Sequence, residues 1–312
     1  MGYWAELGSA KIRWQLNIGS PSNGLENKRL ESAYRTLAAT AWVQSQSGNL
    51  NRVADCPTGV WQEGQILKDL TDLQIRPEFV AQMAGYLQSP QKQKGLHALI
   101  DVGGGTLDVV TFIVHQVEDE DTFPFLVPEV HPLGTHGLIQ NRLLGGPVTE
   151  TLNAIDALQP IASSTDFAKA AGIDLVHVNT RDQIFRDEVR NVVQSVLKVT
   201  KGQRYRLSDA WESGVRTFFT GGGSNVHLYS QAIQSARVPS IKGLQLMPLP
   251  LHPKLDGFAG NDDEYQRISV ACGLAQDSFT LGRVVPAKDV EDDRPTIATS
   301  KERLDRDDLY PK

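Results

Sequence analysis

Cysteine is almost missing from this 312-residue chain: Cys56 and Cys272 are its only two, far apart in sequence. That speaks against a disulfide framework or a cysteine-built zinc site, and it suits a reducing cytoplasm. Excess basic charge is missing as well. The formal net charge is −6 and no stripe of Lys and Arg stands out, so nucleic-acid binding through phosphate neutralisation is not expected. No apolar run reaches the length of a membrane-spanning helix, and the first residues lack a basic stretch followed by an apolar core. Neither a membrane partner nor a secretory signal is expected. The chain also lacks Gly-x-x-x-x-Gly-Lys-Ser/Thr, His-Glu-x-x-His and Gly-x-Ser-x-Gly. Its seven histidines are scattered without ligand spacing. Ser224, the nearest thing to a nucleophile, sits in a glycine turn with no evident acid–base pair.

What the chain does have is concentrated in residues 99–114, where an acid and a glycine triplet stand between two apolar runs. Ala98–Ile100 and Val109–Val114 are short, β-branched and bounded by turn residues, as buried strands are. Gly103, Gly104 and Gly105 have no Cβ and tolerate positive φ, so successive backbone N–H groups can approach an anion closely. Asp101 and Asp108 bracket the turn, where a carboxylate can hold a metal-bound water beside phosphates. A glycine-rich hairpin with incidental acids is the plainer alternative. A second element repeats the pattern. Val215–Phe219 is apolar and ends in Thr220-Gly221-Gly222-Gly223-Ser224-Asn225, followed by a helix-like Val226–Ile233. With Ser224 or Asn225 as N-cap, free N–H groups and a helix dipole would favour an anion there too. A tight strand-to-helix crossover needing glycine for packing is the alternative. Together the two elements suggest one ligand gripped from two sides.

The rest of the chain supplies a frame. Ile12–Ile18 reads as a strand, and Lys28–Gln44 as a helix with Leu30, Ala33, Tyr34, Leu37, Ala38 and Ala41 on one face. Residues 45–60 read as a loop. Pro77–Leu87 reads as a short helix, with Val80, Met83, Ala84 and Leu87 sharing a face. Glu118–Asp121 reads as a solvated acidic turn, and Leu133-Gly134-Thr135-His136-Gly137 opens a new segment. Residues 145–180 are weakly periodic and suggest a small subdomain. Asp182–Lys201 is an amphipathic helix with Val189, Val192, Val193, Val196 and Leu197 inward. Val238–Leu251 suggests a strand and loop, and Glu264–Ala275 a helix whose Ala271 and Gly273 allow close backbone packing. From about Val285 the chain is charged and is expected to form a mobile tail.

Taken in order, these pieces resemble the actin, heat-shock chaperone and sugar kinase superfamily of ATPases. Asp101–Asp108 resembles its second phosphate motif, and Thr220–Asn225 its adenosine motif. Glu78–Tyr86 and Arg267–Ala275 resemble the two interdomain connecting helices of the heat-shock chaperones. Asn17–Pro21 and the helix after it lie where those chaperones carry a strand end and an Arg-rich helix. The resemblance spans residues 12–277 and implies an α/β, ribonuclease-H-like ATPase fold with mixed sheets and flanking helices. It implies ATP and Mg²⁺ as ligands. Asp101 would hold Mg²⁺ through water, or the attacking water, and Glu78 would position that water. Gly103, Gly104, Gly105, Thr106 and Asp108 would surround phosphate, and Gly221, Gly222, Gly223 and Ser224 would support the nucleoside.

One departure stands out. The superfamily's first phosphate motif, an Asp-x-Gly-Thr hairpin, has almost no room here. Glu6-Leu7-Gly8-Ser9 carries Glu for Asp and lies too close to the connecting helix. The expectation is an N-terminally incomplete fold. Residues 1–95 would end a first domain, 96–284 would form the second with the return helix, and 285–312 would be the tail. The resemblance implies a chaperone-like nucleotide-binding domain. An actin-like filament-forming ATPase or a non-catalytic module of the same fold is the alternative, and partners would be a protein client or further copies of the chain. A single cradle in a wet cleft binds charge weakly, because water screens it. The chain is therefore expected to bind ATP–Mg²⁺ weakly with negligible turnover. Micromolar affinity by calorimetry, with steady phosphate release, would overturn that.

Overall fold

The computed structural model describes residues 15–20, 28–47, 73–117, 120–144, 161–253, 255, 257–276 and 283–291. The Glu6–Ser9 likeness, most of the 45–60 loop, residues 145–160 and the tail beyond residue 291 lie outside them. In chain order the elements are β1 (Leu16–Ser20), α1 (Lys28–Ser47), β2 (Leu73–Pro77), α2 (Glu78–Leu87) and β3 (Gly95–Val102). Next come β4 (Leu107–Val117), β5 (Glu120–His131), α3 (Thr135–Leu143), α4 (Ser164–Ala171) and α5 (Leu175–Val199). The last are α6 (Ala210–Ser213), β6 (Val215–Thr220), α7 (His227–Gln234), β7 (Leu244–Met247), α8 (Asp262–Leu274) and β8 (Arg283–Val285).

The main sheet runs β7-β6-β3-β4-β5-β8. Strands β3, β4 and β5 form an antiparallel meander, while β6 joins β3 and β7 joins β6 in parallel. The order is thus an antiparallel meander extended by parallel strands on its first member, in keeping with the ribonuclease-H-like fold expected from the sequence. The β-branched runs read from the sequence are the centres of β3, β4 and β6, with Ile100 opposite Val109 and Phe219.

Strand β3 shows how one sequence feeds two cores. Side chains alternate across a strand, so Leu96, Ala98, Ile100 and Val102 face one way and His97, Leu99 and Asp101 the other. The first set packs with Phe185, Val189, Val193 and Val196 of α5 and with Leu228 and Tyr229 of α7. Leu99 packs on the second face with Phe79, Val80, Met83 and Tyr86 of α2 and Tyr265 of α8. Helices therefore cover both faces. The inward valines read in the 182–201 stretch do face the sheet, although the helix starts earlier, at Leu175, where Asp174 caps it. Residues 164–180 form α4 and the first turns of α5.

Helix α1 departs from its sequence stripe. It buries Ala38 and Ala39 with Thr36 and Thr40, whereas Leu37 is 48% exposed. The surface it covers is narrow, the parallel pair β1–β2 with Leu16, Ile18 and Leu73. That pair touches the rest through Asn17, which donates to the Leu274 carbonyl at 2.8 Å, and through Gly19, which lies against Glu78.

Helix α2 is buried along Phe79–Leu87 and crosses α8 closely. A Cβ on Gly273 would fall 1.8 Å from the Ala81 carbonyl oxygen, so the backbone contact requires glycine. Ala271, by contrast, faces solvent. On the sheet side, His97 is stacked between Phe112 and Phe218, with ring centroids 5.5 and 6.0 Å away. Its Nδ1 lies 2.8 Å from the Gly95 carbonyl, which can only accept, so Nδ1 carries the proton. Nε2 then accepts from the Tyr86 hydroxyl at 3.0 Å. Burial pushes the His97 pKa down to about 4, keeping the ring neutral. Replacing Gly273 by Val should force α2 and α8 apart. A loss of about 1–3 kcal/mol in urea unfolding is the expected outcome; an unchanged midpoint would contradict the crossing.

Candidate functional site

Parallel strands β3 and β6 end side by side, with Asp101 opposite Thr220. The two glycine turns therefore lie next to each other at the carboxyl edge of the sheet, where ligands of α/β sheets collect. Gly223 N–H donates to the Val102 carbonyl at 2.9 Å, tying the second turn to the strand that carries the first. No side chain fits between them. A Cβ on Gly221 would lie 2.0 Å from Asp101 Oδ1, and one on Gly223 would lie 2.4 Å from Val102 Cγ1 and 2.7 Å from Thr135 Cγ2. Gly221 also has φ +87°, which favours glycine in its own right.

The first turn is held from behind. Thr135 and His136, opening α3, donate their N–H groups to the carbonyls of Gly103 and Gly104 at 3.0 and 2.8 Å, and Gly134 N–H reaches Gly105 at 3.3 Å. Gly103 N–H is used internally, on the Thr106 carbonyl at 2.9 Å. The loop's carbonyls are thus occupied, while the N–H groups of Gly104, Gly105 and Thr106 have no partner among the described residues. These three residues are exposed. A strip of unspent donors with its acceptors turned away is suited to an anion.

Beside the strip stands a group of acids. Asp101 ends β3, Asp108 faces it across the hairpin, and Glu78 opens α2. Gln82 Nε2 donates to Asp101 Oδ2 at 2.7 Å, and Asp101 Oδ1 is buried without a hydrogen bond. Burial chiefly, with Asp108 and Glu78 adding repulsion, raises the Asp101 pKa to about 7 against the lowering effect of Gln82. Glu78 is raised by the same two causes, burial first and then Asp108. Carboxylates crowded in this way gain from a nearby cation. No group of three or more His, Cys, Asp or Glu among the described residues is itself arranged to hold a metal ion.

The second turn differs from its expected form. Helix α7 begins at His227 after Val226, with no side-chain cap, so neither Ser224 nor Asn225 is the N-cap. The Ser224 hydroxyl instead donates back to the Gly221 carbonyl at 2.8 Å, because a tighter turn brings that acceptor within reach. A cavity of about 350 Å³ opens beside it, lined by Phe219, Ser224, Asn225, Met247, Asp263 and Gln266.

All the residues singled out in the sequence thus meet at one edge: Glu78, Asp101, Gly103–Thr106 and Asp108 around the first turn, Gly221–Ser224 in the second. Two contributors were not singled out. Gln82 is a lone amide in the apolar run that follows Glu78, which was its signal. Thr135 and His136 belong to a glycine-flanked segment whose closeness to the hairpin only the fold reveals. A third polar feature sits behind the site. Arg142 of α3 makes a bidentate pair with Asp182 of α5 at 2.7 and 2.9 Å, both side chains buried, and Ser164 donates to the same carboxylate at 2.6 Å. It anchors the helix that holds the loop.

No family model matches the chain, and no curated protein sequence matches it. Among solved structures it is similar to a ParM filament protein from Clostridium botulinum, 16% identical over 66% of this chain and 52% of that one, TM-score 0.39. It is similar to Ta0583, an archaeal actin homologue in complex with ADP, at 17% identity over 65% and 56%, TM-score 0.36. A third is MreB5 of Spiroplasma citri bound to ADP, at 11% identity over 77% and 74%, TM-score 0.41. The chain spans about half the length of the first two. The likeness is one of fold.

With a folded pKa near 7 and an ordinary value near 3.8, Asp101 holds a proton in the native chain that the unfolded chain has released between those values. Its contribution to stability is full below about pH 4 and is lost as pH rises through 7. Asp101→Asn should therefore leave the melting temperature nearly unchanged at pH 4 and raise it at pH 8. Equal shifts at both would contradict the buried carboxyl.

Proposed function

We propose that this edge binds the polyphosphate of a nucleotide, with ATP and Mg²⁺ as the natural pair, in an actin-like nucleotide-binding domain. The observation that carries the reading is the strip of free N–H groups at Gly104, Gly105 and Thr106 beside the buried carboxyl of Asp101. Phosphate oxygens would take those N–H groups and the Thr106 hydroxyl, bonds to a charged acceptor being the stronger kind. The nucleoside would lie along Gly221–Ser224 toward the adjacent cavity of about 350 Å³.

The residues fit a hydrated cation better than a bare one. Asp101 and Asp108 would accept hydrogen bonds from its water shell, and the cation would neutralise the phosphate charge that the acids otherwise repel. Glu78, half-buried at the start of α2 with its side chain against Gly19, would orient a water for attack. Hydrolysis on this reading is a matter of positioning and charge, with no covalent step on the protein.

The sequence alone favoured a chaperone-like form of this domain. We adopt the actin-like form, in which nucleotide state governs association between copies of the chain. The two part on light scattering: a rise on adding ATP–Mg²⁺ supports self-association, and a flat trace with intact binding returns the reading to a client-binding or non-catalytic module.

Binding itself is tested by calorimetry of ADP with and without Mg²⁺. Wild-type chain should bind ADP more tightly with Mg²⁺ present, and Asp101→Ala should abolish that gain while the N–H strip keeps a weaker metal-free affinity. No heat from wild type under either condition would sink the proposal.

A further inference from the structure

One side chain at this edge has no assigned task. His136 is exposed, and its backbone is fixed by the N–H bond to the Gly104 carbonyl at 2.8 Å. Its imidazole stands over the glycine turn: Cε1 and Nε2 are 3.7 and 4.0 Å from where a Gly104 Cβ would be. Neither ring nitrogen has a partner among the described residues, so its hydrogen-bonding capacity is unspent. His97, by contrast, has both nitrogens engaged. A free imidazole held over a strip of free N–H groups continues that strip with a side-chain donor.

Charge points the same way. The acids at the edge are Glu78, Asp101 and Asp108, and the glycine turns themselves carry no cation. Arg267 of α8 lies beyond the second turn, its Nε 3.7 Å from where a Gly222 Cβ would be. His136 is thus the basic side chain at the first turn, as Arg267 is at the second. A polyphosphate laid on the Gly104–Thr106 amides would meet the imidazole at its edge.

We infer that His136 is a phosphate-contacting residue that selects ligands carrying a di- or triphosphate over those with one phosphate or none. This deepens the nucleotide reading and rests on it. Selection follows from reach: a phosphate laid on the amides leaves the imidazole at its edge to meet a second.

The test compares wild type, His136→Ala and His136→Arg, titrated by calorimetry with inorganic phosphate, pyrophosphate and ADP. Removing the donor should weaken pyrophosphate and ADP roughly tenfold, the scale of one hydrogen bond to a charged group, and leave inorganic phosphate nearly unchanged. His136→Arg should recover most of the loss, because it puts a hydrogen-bond donor back at the same place. Circular dichroism and melting temperature should not move, as the side chain is exposed. Equal weakening of all three ligands would overturn the selective role, and unchanged pyrophosphate and ADP binding in His136→Ala would overturn the contact. If wild type binds none of the three, the nucleotide reading itself fails, a result distinct from either.

Discussion

The functional edge depends on one close approach, the end of β3 against the turn after β6. The Val102 carbonyl oxygen lies 2.5 Å from where a Cβ on residue 221 would be, and the same carbonyl receives the Gly223 N–H. Backbone meeting backbone at that range fixes the relation of the two turns more tightly than side-chain packing could, since no rotamer change can relieve it. The hairpin loop is then secured from the other side by α3, and α3 in turn by the buried Arg142–Asp182 pair. A buried pair of this kind contributes little net stability, but it makes departure from the observed geometry costly. Its place one element away from the loop suits a device for orientation.

The electrostatics follow from the same crowding. Three carboxyl groups are held near one another because α2 and the hairpin converge there, and burial of Asp101 raises the cost of charging it. A single amide, Gln82, offsets part of that cost. The strip of unpartnered N–H groups lies just outside, where the carbonyls of the loop are already bonded. Donors and acids thus stand side by side without neutralising each other.

Much of this was legible in the sequence, for a physical reason. Glycine triplets after β-branched runs report backbone demands that no other residue meets, and those demands are local. The strands at 98–100, 109–114 and 215–219 and the inward face of α5 were readable for the same cause, because periodicity records which way a residue faces. What could not be read was adjacency. The two turns looked like opposed jaws and are neighbours on parallel strands, a relation set by sheet order. Gln82 and His136 gain meaning only from what lies across from them. The stripe on α1 misled because Leu37 satisfies a helical pattern without having a surface to cover. Ser224 misled because a hydroxyl before a helix is a cap only if the turn leaves the helix N–H groups in reach.

Helix α2 carries Glu78, Gln82 and Tyr86 four residues apart, hence along one face, and meets Asp101 and His97, which share one side of β3. Such a seam has indexed positions. Sliding the helix by a fraction of a turn would break the amide–carboxyl and hydroxyl–imidazole bonds together and strand their partners in the core, and the next matching register lies about 5.4 Å away. The seam therefore resists shear and transmits rotation. Any displacement of α2 along the sheet would have to carry helix and strand as one piece.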